Sequence, residues 1–109
     1  MLLDIEVTHS DIANGEEDSC DECPIALATL RALKDAGVSI ATWGQSTSPK
    51  IEVCQEQIQF YDSSGRKWLA DMSPDMVAFV DCFDGKDWSH QVQPFRATLE
   101  FEEVTYVPV

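Results

Sequence analysis

Positive charge is what this sequence has least of. Seven Lys and Arg stand against 20 Asp and Glu, for a formal net charge of −13. Such a surface repels phosphate backbones and anionic lipid, which argues against direct binding to nucleic acid or to membrane surfaces. No apolar run approaches the roughly 18 residues of a membrane-crossing helix. The opening MLLDIEVTHSD has neither a basic stretch nor a long apolar one, so no secretory signal is expected and the expected compartment is the cytoplasm, a host's if the chain is phage-encoded. Glycine and proline number only five each, and no repeat or low-complexity tract occurs. Catalytic signatures are missing as well: there is no phosphate-cradling glycine loop, no HExxH and no GxSxG. The two histidines, His9 and His90, lie far apart without a nucleophile pattern around them. His9, Ser10 and Asp11 carry the letters of a triad, but triad members meet in space rather than in sequence. A non-enzymatic role is the expectation.

What is present is a foldable chain. With 109 residues, 44% of them hydrophobic, it is long enough for one domain, 1–109, that buries roughly 65% of its unfolded surface. LLDIEV alternates Leu3, Ile5 and Val7 with acids, the pattern of a half-buried strand. Thr8 and Asp11 stand in capping-box register for a short helical turn that Gly15 ends. A helix is expected from about Pro24 to Ala36, with proline at its first position and Gly37 as its C-cap. Strands are expected at VSIATW and, as one long element, at IEVCQEQIQFYD, with a turn at DSSGRK; WLADM fits either a strand or a loop edge. Ser73 and Pro74 open a second helix whose Met76, Phe79, Val80 and Phe83 share a face, and QPFRATLEFEEVTYV forms a final strand. The order predicts an α+β fold, a mainly antiparallel sheet of three to four strands with two helices packed on one face. Trp43, Trp68 and Trp88 are read as core or core-edge residues.

The acids fall in strings. The first 22 residues hold eight acids and no Lys or Arg; residues 71 to 88 hold five against Lys86 alone. Glu16, Glu17, Asp18, Asp21, Glu22, Asp71, Asp75, Asp81, Asp84 and Asp87 are therefore the candidate acidic binding surface. The four cysteines, in a chain not expected to be secreted, read as reduced thiols. Cys20 and Cys23 form a CxxC pair, half of a tetrahedral zinc site, with Cys54, Cys82, His9 and His90 as available further ligands. A redox pair is the other chemical reading: a helix N-terminus lowers a thiol pKa, while Asp18, Asp21 and Glu22 raise it. The structural reading has Cys23 capping the helix or lying beneath it and Cys20 in a loop. Cys54 shares strand parity with Ile58 and Phe60 and is expected in the core, and Cys82, on the Phe79–Phe83 helix, is expected to be buried.

The stretches VTHSDIANG…CPIALATLRA and FVDCFDGKDWSHQVQPFRATLEF resemble a family of small, uncharacterised proteins of phages and prophages. The likeness rests on Val7-Thr8, Ile12, Gly15, Cys23-Pro24, Ala26 and Ala28, then Phe83-Asp84-Gly85, Val92 and Pro94-Phe95. It implies no catalytic residues and no cofactor. It implies an accessory protein that works by protein–protein binding, with mimicry of DNA's charge against a basic nucleic-acid-binding protein as one form. Two alternatives stand beside it: a zinc-binding or thiol-active protein centred on Cys20 and Cys23, and a small virion structural or assembly protein.

Overall fold

A computed structural model describes residues 1–45, 47–54, 56–85 and 92–104. The fold is α+β, as the sequence predicts, with antiparallel strand pairing throughout. Strand β1 (Leu2–Val7) is followed by the short α1 (His9–Asn14) and by α2 (Pro24–Asp35). Then come β2 (Ile51–Cys54), β3 (Gln57–Tyr61), β4 (Lys67–Asp71), α3 (Pro74–Asp84), β5 (Phe95–Glu100) and the two-residue β6 (Glu102–Glu103). The strands form two sheets rather than one: β1 pairs with β5, and the second sheet runs β2-β3-β4-β6.

Three local expectations give way to a different geometry. The segment 51–61 is a hairpin, with Cys54 opposite Gln57, not one long strand. The final strand breaks at Phe101, where the chain leaves the first sheet for the second. Phe101 is fully buried, donates its N–H to the Met1 carbonyl (2.7 Å) and meets Phe60 edge-on at 5.4 Å. Residues 38–43 make isolated bridges, Ile40 to Asp62 and Thr42 to Pro49, instead of a strand.

The helix ends follow their capping residues. Thr8 accepts from the Asp11 N–H (3.2 Å) while the Asp11 carboxylate accepts from the Thr8 N–H (2.9 Å), and Gly15 closes α1. A Cβ on Gly15 would fall 2.5 Å from Pro24 Cδ, so this glycine is required for close approach of the two segments. Helix α2 ends one residue earlier than predicted, with Ala36 as cap and Gly37 at φ +79° just beyond. Val38 N–H bonds the Leu33 carbonyl and Gly37 N–H the Lys34 carbonyl, the paired bonds of a Schellman ending. Ser73 caps α3 through the Met76 N–H (3.3 Å).

One continuous core joins these parts. Leu3, Ile5 and Val7 of β1 stand opposite Leu99, Ala97 and Phe95 of β5 on the inward face. Ile51, Val53, Ile58 and Phe60 line the inner side of the larger sheet, and α2 adds Ile25, Ala28 and Leu33. From α3 come Met76, Phe79 and Phe83, with Phe79 5.0 Å from Phe95. Trp68 stacks beside Phe60 and is half-buried, as read; Trp43 is exposed, against its reading as a core residue, and Trp88 lies outside the described residues. Among the described residues no helix is long and apolar enough to cross a membrane.

Candidate functional site: an acidic loop beside three thiols

Residues 16–22 close on themselves. The Glu16 N–H bonds the Glu22 carbonyl (2.9 Å), and Ser19 Oγ accepts from the Glu22 N–H (3.0 Å) while donating to Asp21 (3.1 Å). Asp18 takes a left-handed conformation (φ 57°), which aspartate adopts more readily than most residues. Its N–H donates to the Asp84 carboxylate (3.0 Å), tying the loop to the end of α3. Two acidic strings therefore meet, through residues 66 apart in sequence.

Each carboxylate has its own setting. Glu16, Glu17, Asp18 and Glu22 are exposed and Asp21 is half-buried. Glu16 pushes the Glu22 carboxyl above its ordinary range, first through the hydrogen bond the two carboxyls share and then through like charge. On α3, Asp81 and Asp84 lie three residues apart, hence on neighbouring positions of the helix surface. Both sit in the C-terminal half, where the helix dipole disfavours negative charge, and no basic residue occupies that last turn. Asp75 has a structural explanation instead, in the first turn where an acid is favoured. Asp71 belongs elsewhere: it lines a cleft of about 630 Å³ between the sheets, beside Ser73, Thr98, Glu100, Glu102 and Glu103. Asp87 lies outside the described residues. The sequence reading did not single out Glu100, Glu102 or Glu103, which share that cleft only because the chain changes sheets at Phe101.

Five of the six described Lys and Arg side chains are engaged elsewhere, and Lys34 sits in the last turn of α2, at the far end of that helix from the loop. Arg31 grips Asp11, Arg96 pairs with Glu6 and Arg66 with Glu103. Lys50 sits over the Trp43 and Tyr61 rings, and Lys67 over Tyr61. Strand register places that group at the opposite end of the hairpin from Cys54, since Tyr61 pairs with Lys67 and Gln57 with Asp71. Among the described residues, no acid of 16–22 and neither Asp81 nor Asp84 makes an ion pair.

The cysteines are arranged differently from the CxxC expectation. Cys23 precedes Pro24 at the N-cap of α2, buried and without a capping hydrogen bond from its side chain. Burial pushes its thiol up; the facing N–H groups of Ala26 and Ile25 pull the other way, and Asp84 and Cys20 add to the rise. A buried thiol of raised pKa is a poor nucleophile, so the helix N-terminus does not activate Cys23. Cys20 is exposed in the loop, and its sulfur lies 3.1 Å from that of Cys54. Cys54 is half-buried rather than in the core: the hairpin resets strand parity, so Ile51 and Val53 point inward before it and Ile58 and Phe60 after it. Cys82 is exposed, because the buried stripe of α3 is Met76, Phe79 and Phe83. Among the described residues no group of three or more His, Cys, Asp or Glu is arranged to hold a metal ion.

No protein family, curated protein or solved structure matches this chain significantly.

Proposed function

We propose that this chain is a non-enzymatic accessory protein, of the phage type its sequence resembles, that binds a basic protein partner through the 16–22 loop and the end of α3. The position of Asp84 carries the reading. A carboxylate at a helix C-terminus, beside a loop whose further carboxylates make no ion pair among the described residues, is electrostatically costly to the folded chain. Stability alone would favour Lys or Arg there. A partner presenting Lys and Arg relieves the repulsion, and the binding free energy then includes that relief. Carboxylates displayed in this way stand in for phosphates, which makes the nucleic-acid groove of a host or phage factor the fitting partner surface.

The test is capture of partners by the tagged protein from nuclease-treated bacterial lysate at about 0.15 M and about 1 M salt, where the Debye length falls from about 8 to about 3 Å. A variant with Glu16→Gln, Glu17→Gln, Asp18→Asn, Asp21→Asn and Glu22→Gln, its folding checked by circular dichroism, is run beside it. The expected result is a stoichiometric nucleic-acid-binding protein that is held at low salt, released at high salt, displaced by added DNA and not held by the variant. A partner retained equally by the variant, or no specific partner at all, overturns the proposal.

A further inference from the structure

We infer that Cys20 and Cys54 form a thiol–disulfide exchange site, closing to an intramolecular disulfide that fastens the acidic loop to the edge of β2. This goes beyond the acidic-surface reading and stands on a different observation. β2 is an edge strand of its sheet, and its Val53 N–H is covered by the Cys20 carbonyl at 2.7 Å. That bond holds the loop against the edge of β2, directly before Cys54 in the chain. The Cys54 thiol donates to the Cys20 sulfur across 3.1 Å. The CxxC neighbour Cys23 is turned into the core, so sequence adjacency and spatial partnership are decoupled.

The two sulfurs divide the work by exposure. Cys20 is the exposed one and meets the external reagent, a small-molecule disulfide RSSR. Its thiolate attacks one sulfur of RSSR, giving Cys20–S–S–R and releasing RS⁻. The Cys54 thiolate then attacks the Cys20 sulfur, forming the Cys20–Cys54 bond and releasing a second RS⁻. Two protein thiols are oxidised, one external disulfide is reduced to two RSH, and the two cysteine protons end on the released thiolates. Burial first, and the Cys20 sulfur second, push the Cys54 thiol up to about 12. Capping Cys20 as a mixed disulfide removes the second cause and eases loss of the proton for the resolving step. The surrounding Glu16, Glu17, Asp18, Asp21 and Glu22 select the reagent: cationic disulfides are drawn in and anionic ones repelled.

The experiment treats the intact reduced protein with cystamine, quenches with iodoacetamide and maps the cysteines by mass spectrometry. The expected product is a peptide pair joined through Cys20 and Cys54, with Cys23 alkylated only after unfolding. In the Cys54→Ser variant the reaction stops at a cysteamine adduct on Cys20, accumulating about tenfold or more above its wild-type level, because the positioned second thiol is gone. Cys23→Ala leaves the wild-type outcome unchanged. A Cys20–Cys23 link, a lasting Cys20 adduct in the wild type, or no oxidation of Cys20 overturns the inference, and none of these depends on a variant folding.

Discussion

Replacing Asp11 with alanine tests how this domain anchors its first helix. Asp11 is 4% exposed, and its carboxylate accepts from both terminal nitrogens of the Arg31 guanidinium (2.8 and 2.7 Å) and from the Thr8 N–H. Arg31 also donates to the Glu6 carbonyl (2.7 Å), so one charge pair joins β1, α1 and α2. Losing the reciprocal half of the capping box costs about 1 kcal/mol. Two charge-assisted bonds would add about 3 kcal/mol or more in a dry site. Arg31 is 45% exposed and regains water when its partner is removed, which cuts that part by about half. The expected loss is therefore about 2–3 kcal/mol, a fall in Tm of roughly 10–15 °C. Urea unfolding followed by circular dichroism should show a lower midpoint with an unchanged slope. Combined with Arg31→Ala, the double-mutant cycle should give a coupling of about 1–2 kcal/mol. The pH dependence has a definite sign. Burial raises the Asp11 pKa, but the Arg31 and Thr8 hydrogen bonds outweigh it and hold the carboxyl below its ordinary value. Its contribution is complete above the unfolded pKa near 4 and is lost as pH falls through the lower folded value. Wild type and variant should converge in that window. A loss under about 0.5 kcal/mol at neutral pH, or a difference that persists in acid, refutes the account.

Gly15→Ala should destabilise by about 1–3 kcal/mol in the same unfolding assay, since the new Cβ meets the Pro24 ring and backbone nitrogen at 2.5–2.7 Å; a neutral outcome would mean that the loop shifts freely. Asp62→Ala removes the acceptor for the Ser64 and Arg66 N–H groups, the Ser64 hydroxyl and the Trp68 indole N–H, at a cost of about 1–2 kcal/mol. Trp68 emission should change in step. The Ser64 and Trp68 hydrogen bonds hold the Asp62 carboxyl down at about 2, so in the wild type this hairpin contribution should last until pH falls from near 4 through about 2.

Legibility in the sequence followed the range of the interaction. Thr8 with Asp11, Pro24, and Ser73 with Pro74 act within one helical turn, and each stands where its chemistry predicts. The β2–β3 hairpin was hidden because CQEQ carries none of the Gly, Asn or Asp signals of a tight turn, and missing it inverted the parity assigned to Cys54. The break at Phe101 was hidden for a related reason: LEFEE reads as one alternating strand, and only burial between the two sheets shows that it bends there. In the candidate site, the acid strings were visible as composition. Their junction at Asp18 and Asp84, the Asp11–Arg31 pair and the meeting of Cys20 with Cys54 all join residues at least 20 apart, which no local pattern encodes.

The pairing of β1 with β5 has a consequence for how the chain is made. Leu2 lies opposite Glu100 and Val7 opposite Phe95, so β1 leaves a ribosome some ninety residues ahead of the strand that completes it. Such distant closure is slow, since it waits on a large loop entropy. Meanwhile α2 can already shelter Leu3, Ile5 and Val7, because it packs along β1 and needs no later segment to form. The strand's bonding edge stays open for that interval, a template for pairing with other nascent chains. Asp4 and Glu6, alternating with the apolar residues, put two negative charges on each such edge. Identical strands thus repel one another until Arg96 arrives on β5 to pair with Glu6.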